Sequence, residues 1–278
     1  METSLFLVAL ALFLHGFAFY EGFFRLGDEV PRRGSVDFTT VCIVFALYVG
    51  SAFVIIPSAL SMIYGSALGS ALASIKGMYV PQIISVSIQL GILALLIIYL
   101  GSRRTEILFG KSPTLQSVTQ DVTIGVLLLI LAFPLVMILI GFAEMLIQHF
   151  SPGVLPDQEA IRIMKQSLSY LPSFITMTVS AVLVAPLIEE FVFRGILQSF
   201  LRNYLGPIGS ILISSFIFAL FHFSTRQGLG NISLIITLFF LALYLGFAYE
   251  KQRSLVASFT LHMLFNGINI VRLFISEV

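Results

Sequence analysis

One cysteine, no tryptophan and little charge set the first limits on this chain of 278 residues. Cys42 alone leaves no intrachain disulfide and no zinc site built on cysteines. Without tryptophan, an aromatic belt at a membrane interface falls to tyrosine and phenylalanine. Charged residues are 10% of the sequence, against about 25% in soluble domains. The 15 basic residues form no run and the formal net charge is +1, so nothing points to nucleic acid. No internal repeat of fixed period is present. The first residues, Met1-Glu2-Thr3, offer neither a basic leader nor a small-residue cleavage site, so the first apolar stretch reads as a retained membrane helix.

What the chain has instead is apolar sequence: 58% of residues are hydrophobic and mean hydropathy is +1.02. A soluble fold of this length could not cover that surface, so the bilayer must serve as solvent. Eight stretches approach the roughly 20 residues a membrane helix needs. They run over 4–24, 38–64, 79–100, 122–147, 173–200, 207–223, 231–249 and 255–275. The expected fold is therefore all-α and polytopic. It divides into an N-terminal four-helix region (1–150), a connector (151–172) and a C-terminal four-helix core (173–278). The small-residue stretch 65–77 reads as a helix extension or a loop. Asp157, Glu159, Arg162 and Lys165 among Ile161, Ile163 and Met164 suit a short interfacial helix or a solvated connector. A slight excess of Lys and Arg in the odd loops puts both termini outside.

Ionisable groups are costly inside a membrane, about 2.5–3.5 kcal/mol each on insertion scales. Where the chain accepts them is therefore informative. The first four stretches hold only His15, Glu21, Glu144 and His149, which read as interfacial or packing residues. The fifth carries Glu189, Glu190 and Arg194. Glu190 and Arg194 are i and i+4 and share a helix face, so they can pair. Glu189 is rotated about 100° away and keeps a free carboxylate of the kind a general base needs. Pro186 breaks the hydrogen bond to Val182 and kinks the helix. A structural ion pair explains Glu190 and Arg194 equally well, but not Glu189.

The sixth stretch ends in Phe218 and His222, and the eighth carries His262 and Asn266, again i and i+4. Either histidine alone would more often be an interhelical hydrogen-bond partner. Depth argues for a cluster: Glu189 and His222 lie about equally far from the turn at Gly206, one before it and one after. His262 fits that level less closely. A carboxylate with a histidine can activate water, and a second histidine with an amide can donate to an oxyanion. No serine or cysteine has a matched base.

Glu189-Glu190-x-x-x-Arg194, Phe218-x-x-x-His222 and His262-x-x-x-Asn266, in this order on late membrane helices, resemble the CPBP family. These are the CAAX-processing and bacteriocin-processing intramembrane proteases, also called Abi proteins. The resemblance covers about 173–275. It implies a peptidase site in a cavity within the membrane. Glu189 resembles the water-activating base, with His222 its partner. His262 and Asn266 resemble the oxyanion hole. Glu190, Arg194 and Phe218 resemble supporting residues. The substrates it implies are prenylated CAAX proteins or small peptides, with lipids as the other partner and no nucleic acid. The family has been described both as metalloproteases and as glutamate-type proteases without a metal; the absence of a His-Glu-x-x-His helix favours no obligatory cofactor, with zinc on Glu189, His222 and His262 as the alternative. A plasma membrane in a prokaryote, or an endoplasmic reticulum in a eukaryote, is the expected location. Two other readings stand beside the protease. One is a transporter, which should show repeats. The other is a non-catalytic scaffold or bacteriocin-immunity protein, which should show degraded motifs.

Overall fold

A computed structural model describes residues 2–26, 36–64, 79–101, 103–110, 113–151 and 158–277. In hydrocarbon, every backbone N–H and C=O must find its partner within the protein, which leaves helices as the spanning element of a single bundle. The described residues form nine longer helical runs, one 3-10 turn (Thr225–Gln227) and no strand: α1 (Glu2–Tyr20), α2 (Phe38–Tyr64), α3 (Tyr79–Leu100), α4 (Arg103–Phe109), α5 (Leu115–Phe150), α6 (Glu159–Ser167), α7 (Leu171–Leu220), α8 (Gly230–Gln252) and α9 (Leu255–Glu277). The chain is an all-α polytopic membrane protein.

Six of these runs are long and apolar enough to cross a membrane: α2, α3, α5, α7, α8 and α9. The eight expected spans differ from six for two local reasons. In α1 only Leu5–Tyr20 is continuously apolar, which is short for a span. The fifth and sixth stretches form one run, α7, which turns at Gly206 (φ 69°, ψ −177°). Only glycine adopts that backbone readily, and Pro207 then starts the second arm with no N–H to lose. The expected boundary at Gly206-Pro207 is therefore a sharp break inside α7. The stretch 65–77 and Asp157 lie outside the described residues. The described part of the connector does form the short helix α6, whose Lys165 pairs with Glu277 at 3.1 Å.

Helix starts follow ordinary capping. Asp37 accepts a hydrogen bond from the Thr40 N–H at 2.7 Å, and Thr114 and Ser117 close a reciprocal capping box ahead of α5. The helices pack around two apolar cores. One, with Leu128, Ala132, Leu241, Leu245 and Leu261 fully buried, joins α5, α8 and α9. There α5 and α9 approach closely at Gly125, where a Cβ would stand 2.6 Å from the Ala257 carbonyl oxygen. The other core gathers Phe191, Phe193 and Ile196 of α7 with residues of α2 and α3. His15 bridges to the Tyr244 hydroxyl and Ala11 O, a packing role.

Three turns of wider π register interrupt these helices, at Ser51–Ile55, Ser180–Val184 and Phe191–Gln198. Such turns are rare and collect at functional sites. Two of them bracket Glu189 and Glu190.

Candidate active site

Glu190 and Arg194 form the deepest part of the site. Arg194 Nη1 donates to Glu190 Oε1 at 3.1 Å, its Nη2 reaches the Ala242 carbonyl at 3.4 Å, and its guanidinium lies 4.5 Å from the centre of the Phe218 ring. Both side chains are essentially inaccessible, at 0% and 1% exposure. A pair this dry stays only where the charges match and further donors and acceptors are supplied.

His262 connects the pair to Glu189. Its Nδ1 lies 2.8 Å from Glu190 Oε1 and its Nε2 3.7 Å from Glu189 Oε2. A carboxylate only accepts, so Nδ1 carries the hydrogen of the first contact. His222 is held in the same manner from the other side. Its Nδ1 lies 2.9 Å from the Phe218 carbonyl, so Nδ1–H donates there and Nε2 faces Glu189 Oε1 at 3.9 Å. Phe218 thus serves three neighbours, through its carbonyl to His222, its ring face to Arg194, and an edge contact to the His262 ring at 6.0 Å. His222 lies just beyond the end of α7, where its N–H bonds to Ala219 O in a tight turn.

The level of His262 has a simple geometry. Gly195 lies against Leu255 at the start of α9. Counted from there, Glu190 and His262 are five and seven residues along, roughly 8–10 Å in each helix at 1.5 Å per residue. The part of α7 from Ser199 to Gly206 extends past the α8–α9 turn, so distance from Gly206 misjudges this level.

Asn266 takes a position the sequence does not foretell. Its Nδ2 donates to the Ala181 carbonyl at 2.9 Å. In the π turn before Pro186, Ala185 N–H bonds back five residues to Ser180 O. The next nitrogen belongs to Pro186 and has no hydrogen, so in this register Ala181 O loses its backbone donor, where an α register assigns that loss to Val182 O. Asn266 supplies the missing donor and keeps a second amide hydrogen.

Glu189 also opens into a cavity of about 130 Å³ lined by Tyr48, Ser51 and Ala52 of α2, Gln89 of α3, and apolar residues of α3 and α7. No acidic, basic or histidine residue marks α2 or α3, so nothing ionisable in the sequence points to this wall. The Tyr48 ring is wedged edge-on against Phe193 (5.9 Å) and beside Phe221 (6.0 Å). Those two residues follow Glu189 by one helical turn and precede His222 by one position.

Three acceptors therefore converge: the Glu189 carboxylate and, in their neutral forms, two imidazole Nε2 atoms. A zinc ion would need three such ligands at about 2.0–2.2 Å. Histidines whose Nδ1–H is engaged are the kind that ligate metals. Among the described residues, however, no group of three or more His, Cys, Asp or Glu side chains is close enough to hold a metal ion.

Residues 171–268 match the Rce1-like family of type II CAAX prenyl endopeptidases. The match contains every motif residue from Glu189 to Asn266 and bears out the resemblance read from them. It leaves α1 to α6 unmatched, including the helices that build the outer wall of the cavity. No curated protein and no solved structure matches the chain. Residues 171–268 are thus similar to a family of membrane proteases, and the six long apolar helices make the chain an integral membrane protein.

Proposed function

We propose that this protein is an intramembrane endopeptidase that hydrolyses a peptide bond of a membrane-associated peptide or lipidated protein, with Glu189 as general base. The observation that supports this most is the position of its carboxylate, 3.9 Å from His222 Nε2 and 3.7 Å from His262 Nε2, at the edge of a cavity. Glu189 Oε1 and a neutral His222 Nε2 are both acceptors. One water donating to each spans about 4 Å when both hydrogen bonds are near 2.8 Å, close to the separation here. Such a water turns its lone pairs outward.

In the reaction, Glu189 accepts a proton as the water oxygen bonds to the carbonyl carbon, and the C=O electron pair moves onto oxygen. The tetrahedral intermediate collapses when the C–N bond breaks and Glu189-H returns the proton to the leaving nitrogen. His262, protonated at both nitrogens, keeps Nδ1–H on Glu190 and offers Nε2–H to the oxyanion. The free amide hydrogen of Asn266 is the other donor. The substrate class is C-terminal CAAX trimming or small-peptide maturation. None of these steps is routed through a metal.

The test uses purified protein in liposomes with fluorogenic peptides, with and without a farnesylated CAAX cysteine. The wild type cleaves, and Glu189→Gln lowers kcat by about 10³-fold while unfolding at the wild-type temperature. Wild-type rates in Glu189→Gln, or wild-type protein that cleaves no peptide yet binds a partner protein, would sink the assignment in favour of a scaffold.

A further inference from the structure

The cavity wall opposite Glu189 repeats a device found beneath it. Ser51-Ala52-Phe53-Val54-Ile55-Ile56-Pro57 in α2 and Ser180-Ala181-Val182-Leu183-Val184-Ala185-Pro186 in α7 share the pattern Ser-Ala, four residues, Pro. Each folds as a π turn in which the residue before proline bonds back five positions: Ile56 N–H to Ser51 O, and Ala185 N–H to Ser180 O. In each, the same register assigns the alanine carbonyl to a proline nitrogen that has no hydrogen. In α7 that carbonyl, Ala181 O, is served by Asn266. In α2 it is Ala52 O, and among the described residues no side chain donates to it. Ala52 lines the cavity that Glu189 faces.

Tyr48 stands one turn before Ala52 on the same helix face and lines the same cavity. Glu189 lines that cavity as well. The Tyr48 ring is fixed by Phe193 and Phe221, and its hydroxyl makes no hydrogen bond among the described residues. The Ser51 hydroxyl is already committed, donating to Tyr48 O at 2.7 Å. The face therefore presents one acceptor, Ala52 C=O, and one donor, Tyr48 O–H, four residues apart. An extended peptide presents the complement, one N–H and one C=O per residue. An ordinary helix face has no carbonyl to offer, because its own N–H groups occupy them.

We propose that Tyr48 and Ala52 form a subsite for the main chain of the substrate peptide, in which Ala52 O accepts a substrate N–H and the Tyr48 hydroxyl donates to a substrate C=O. This rests on the endopeptidase reading and adds to it a role for the N-terminal helices. The subsite recognises backbone, whatever the side chains. The cavity, about 130 Å³, is near the roughly 150 Å³ that holds a benzene-sized group and is too small for a long lipid chain. It receives peptide and leaves any lipid anchor outside.

The decisive variant is Pro57→Ala, which returns an N–H to the backbone and occupies Ala52 O. Its helix keeps or gains stability, because the replacement restores a helical hydrogen bond. Its KM for a fluorogenic farnesylated CAAX peptide rises about fivefold, the effect of one hydrogen bond, with kcat little changed. Tyr48→Phe removes only the hydroxyl and raises KM by about the same factor. A backbone N-methyl scan of the peptide finds one position whose methylation raises KM in the wild type but not in Pro57→Ala. That pattern is one that a merely structural proline does not produce. If KM is unchanged in both variants and the scan shows no such position, while Glu189→Gln is inactive, the subsite is wrong and the endopeptidase reading stands. If Glu189→Gln cleaves normally, the parent reading falls first.

Discussion

Glu190→Gln perturbs the site at its driest point, and the structure sets the size of the effect. Glu190 Oε1 receives both Arg194 Nη1 (3.1 Å) and His262 Nδ1 (2.8 Å). Replacement by an isosteric amide keeps an oxygen there and removes the charge. Arg194 is then left buried with the Ala242 carbonyl at 3.4 Å and the Phe218 ring face. Breaking a buried pair from one side costs about 3–5 kcal/mol, because the surviving ion stays desolvated. The retained amide oxygen still accepts from Arg194, which puts the expected loss near the lower bound, about 3 kcal/mol. Removing both charges, in Glu190→Gln/Arg194→Met, leaves no stranded ion. The double variant should therefore lose less than the sum of the single losses by about 2 kcal/mol, within the range for contacting residues. Unfolding free energies in mixed micelles for the wild type, both single variants and the double variant give this coupling directly. A loss below about 1 kcal/mol in Glu190→Gln, or additive losses in the double variant, refutes the idea of a dry pair holding the helices together.

His222→Ala should lower kcat by about 10²-fold or more through loss of the water's second acceptor, while costing little stability, because the side chain is 30% exposed; parallel kinetics and thermal unfolding separate the two, and unaltered kcat removes His222 from the mechanism. Asn266→Leu should cost about 1–3 kcal/mol by stranding Ala181 O, and Pro186→Ala in the same chain should recover part of that by restoring a backbone N–H; absence of coupling between the two would show that Ala181 O does not depend on Asn266. Gly125→Leu should disrupt folding outright, because even a Cβ there meets the Ala257 carbonyl at 2.6 Å; recovery of folded protein at the wild-type yield counts against the close approach of α5 and α9. Treatment with a zinc chelator should leave peptide cleavage intact; loss that zinc restores, in protein carrying one equivalent of metal, would move Glu189, His222 and His262 from water activation to metal ligation.

Charge and helical spacing carried much of the site into view. The i, i+4 relation of Glu190 and Arg194 is observed as a direct ion pair, and the 100° offset leaves Glu189 facing the histidines and the cavity. Equal depth of Glu189, before Gly206, and His222, just past the end of α7, also holds. Much less legible was the helical register. A π turn adds one residue to a turn without altering composition, so a reading at 3.6 residues per turn assigned the free carbonyl to Val182 and not Ala181. The role of Asn266 as partner of that carbonyl was hidden for the same reason. Tyr48 and Ala52 were missed because a search for costly groups in a membrane looks for ionisable side chains, and a carbonyl freed by proline has no such signature. What could have found them is the repeated Ser-Ala-x4-Pro pattern at 51–57 and 180–186. The number of long apolar runs differs from the expected number of spans where a stretch is short or bent: α1 is apolar over fewer residues, and Gly206 turns one helical run into two arms.

Burial falls in a definite order across the site, and that order separates structure from chemistry. Glu190 and Arg194 are sealed, at 0% and 1% exposure, His262 follows at 4%, then Glu189 at 16% and His222 at 30%. A fully enclosed carboxylate that already has two charged or polar partners is poorly placed to exchange protons with a substrate. A carboxylate at the cavity edge, with Nε2 atoms on either side and no donor fixed on it, is free to do so. His262 lies beside both, through different nitrogens, so the buried pair sets its ring orientation without reaching the reacting atoms. The sealed ion pair is thus the rigid support, and the partly open Glu189 and His222 are the groups with room to act. Glu189 meets α2 and α3 across the cavity, so the segment that carries the family motifs does not enclose its own site. The unmatched N-terminal helices complete it.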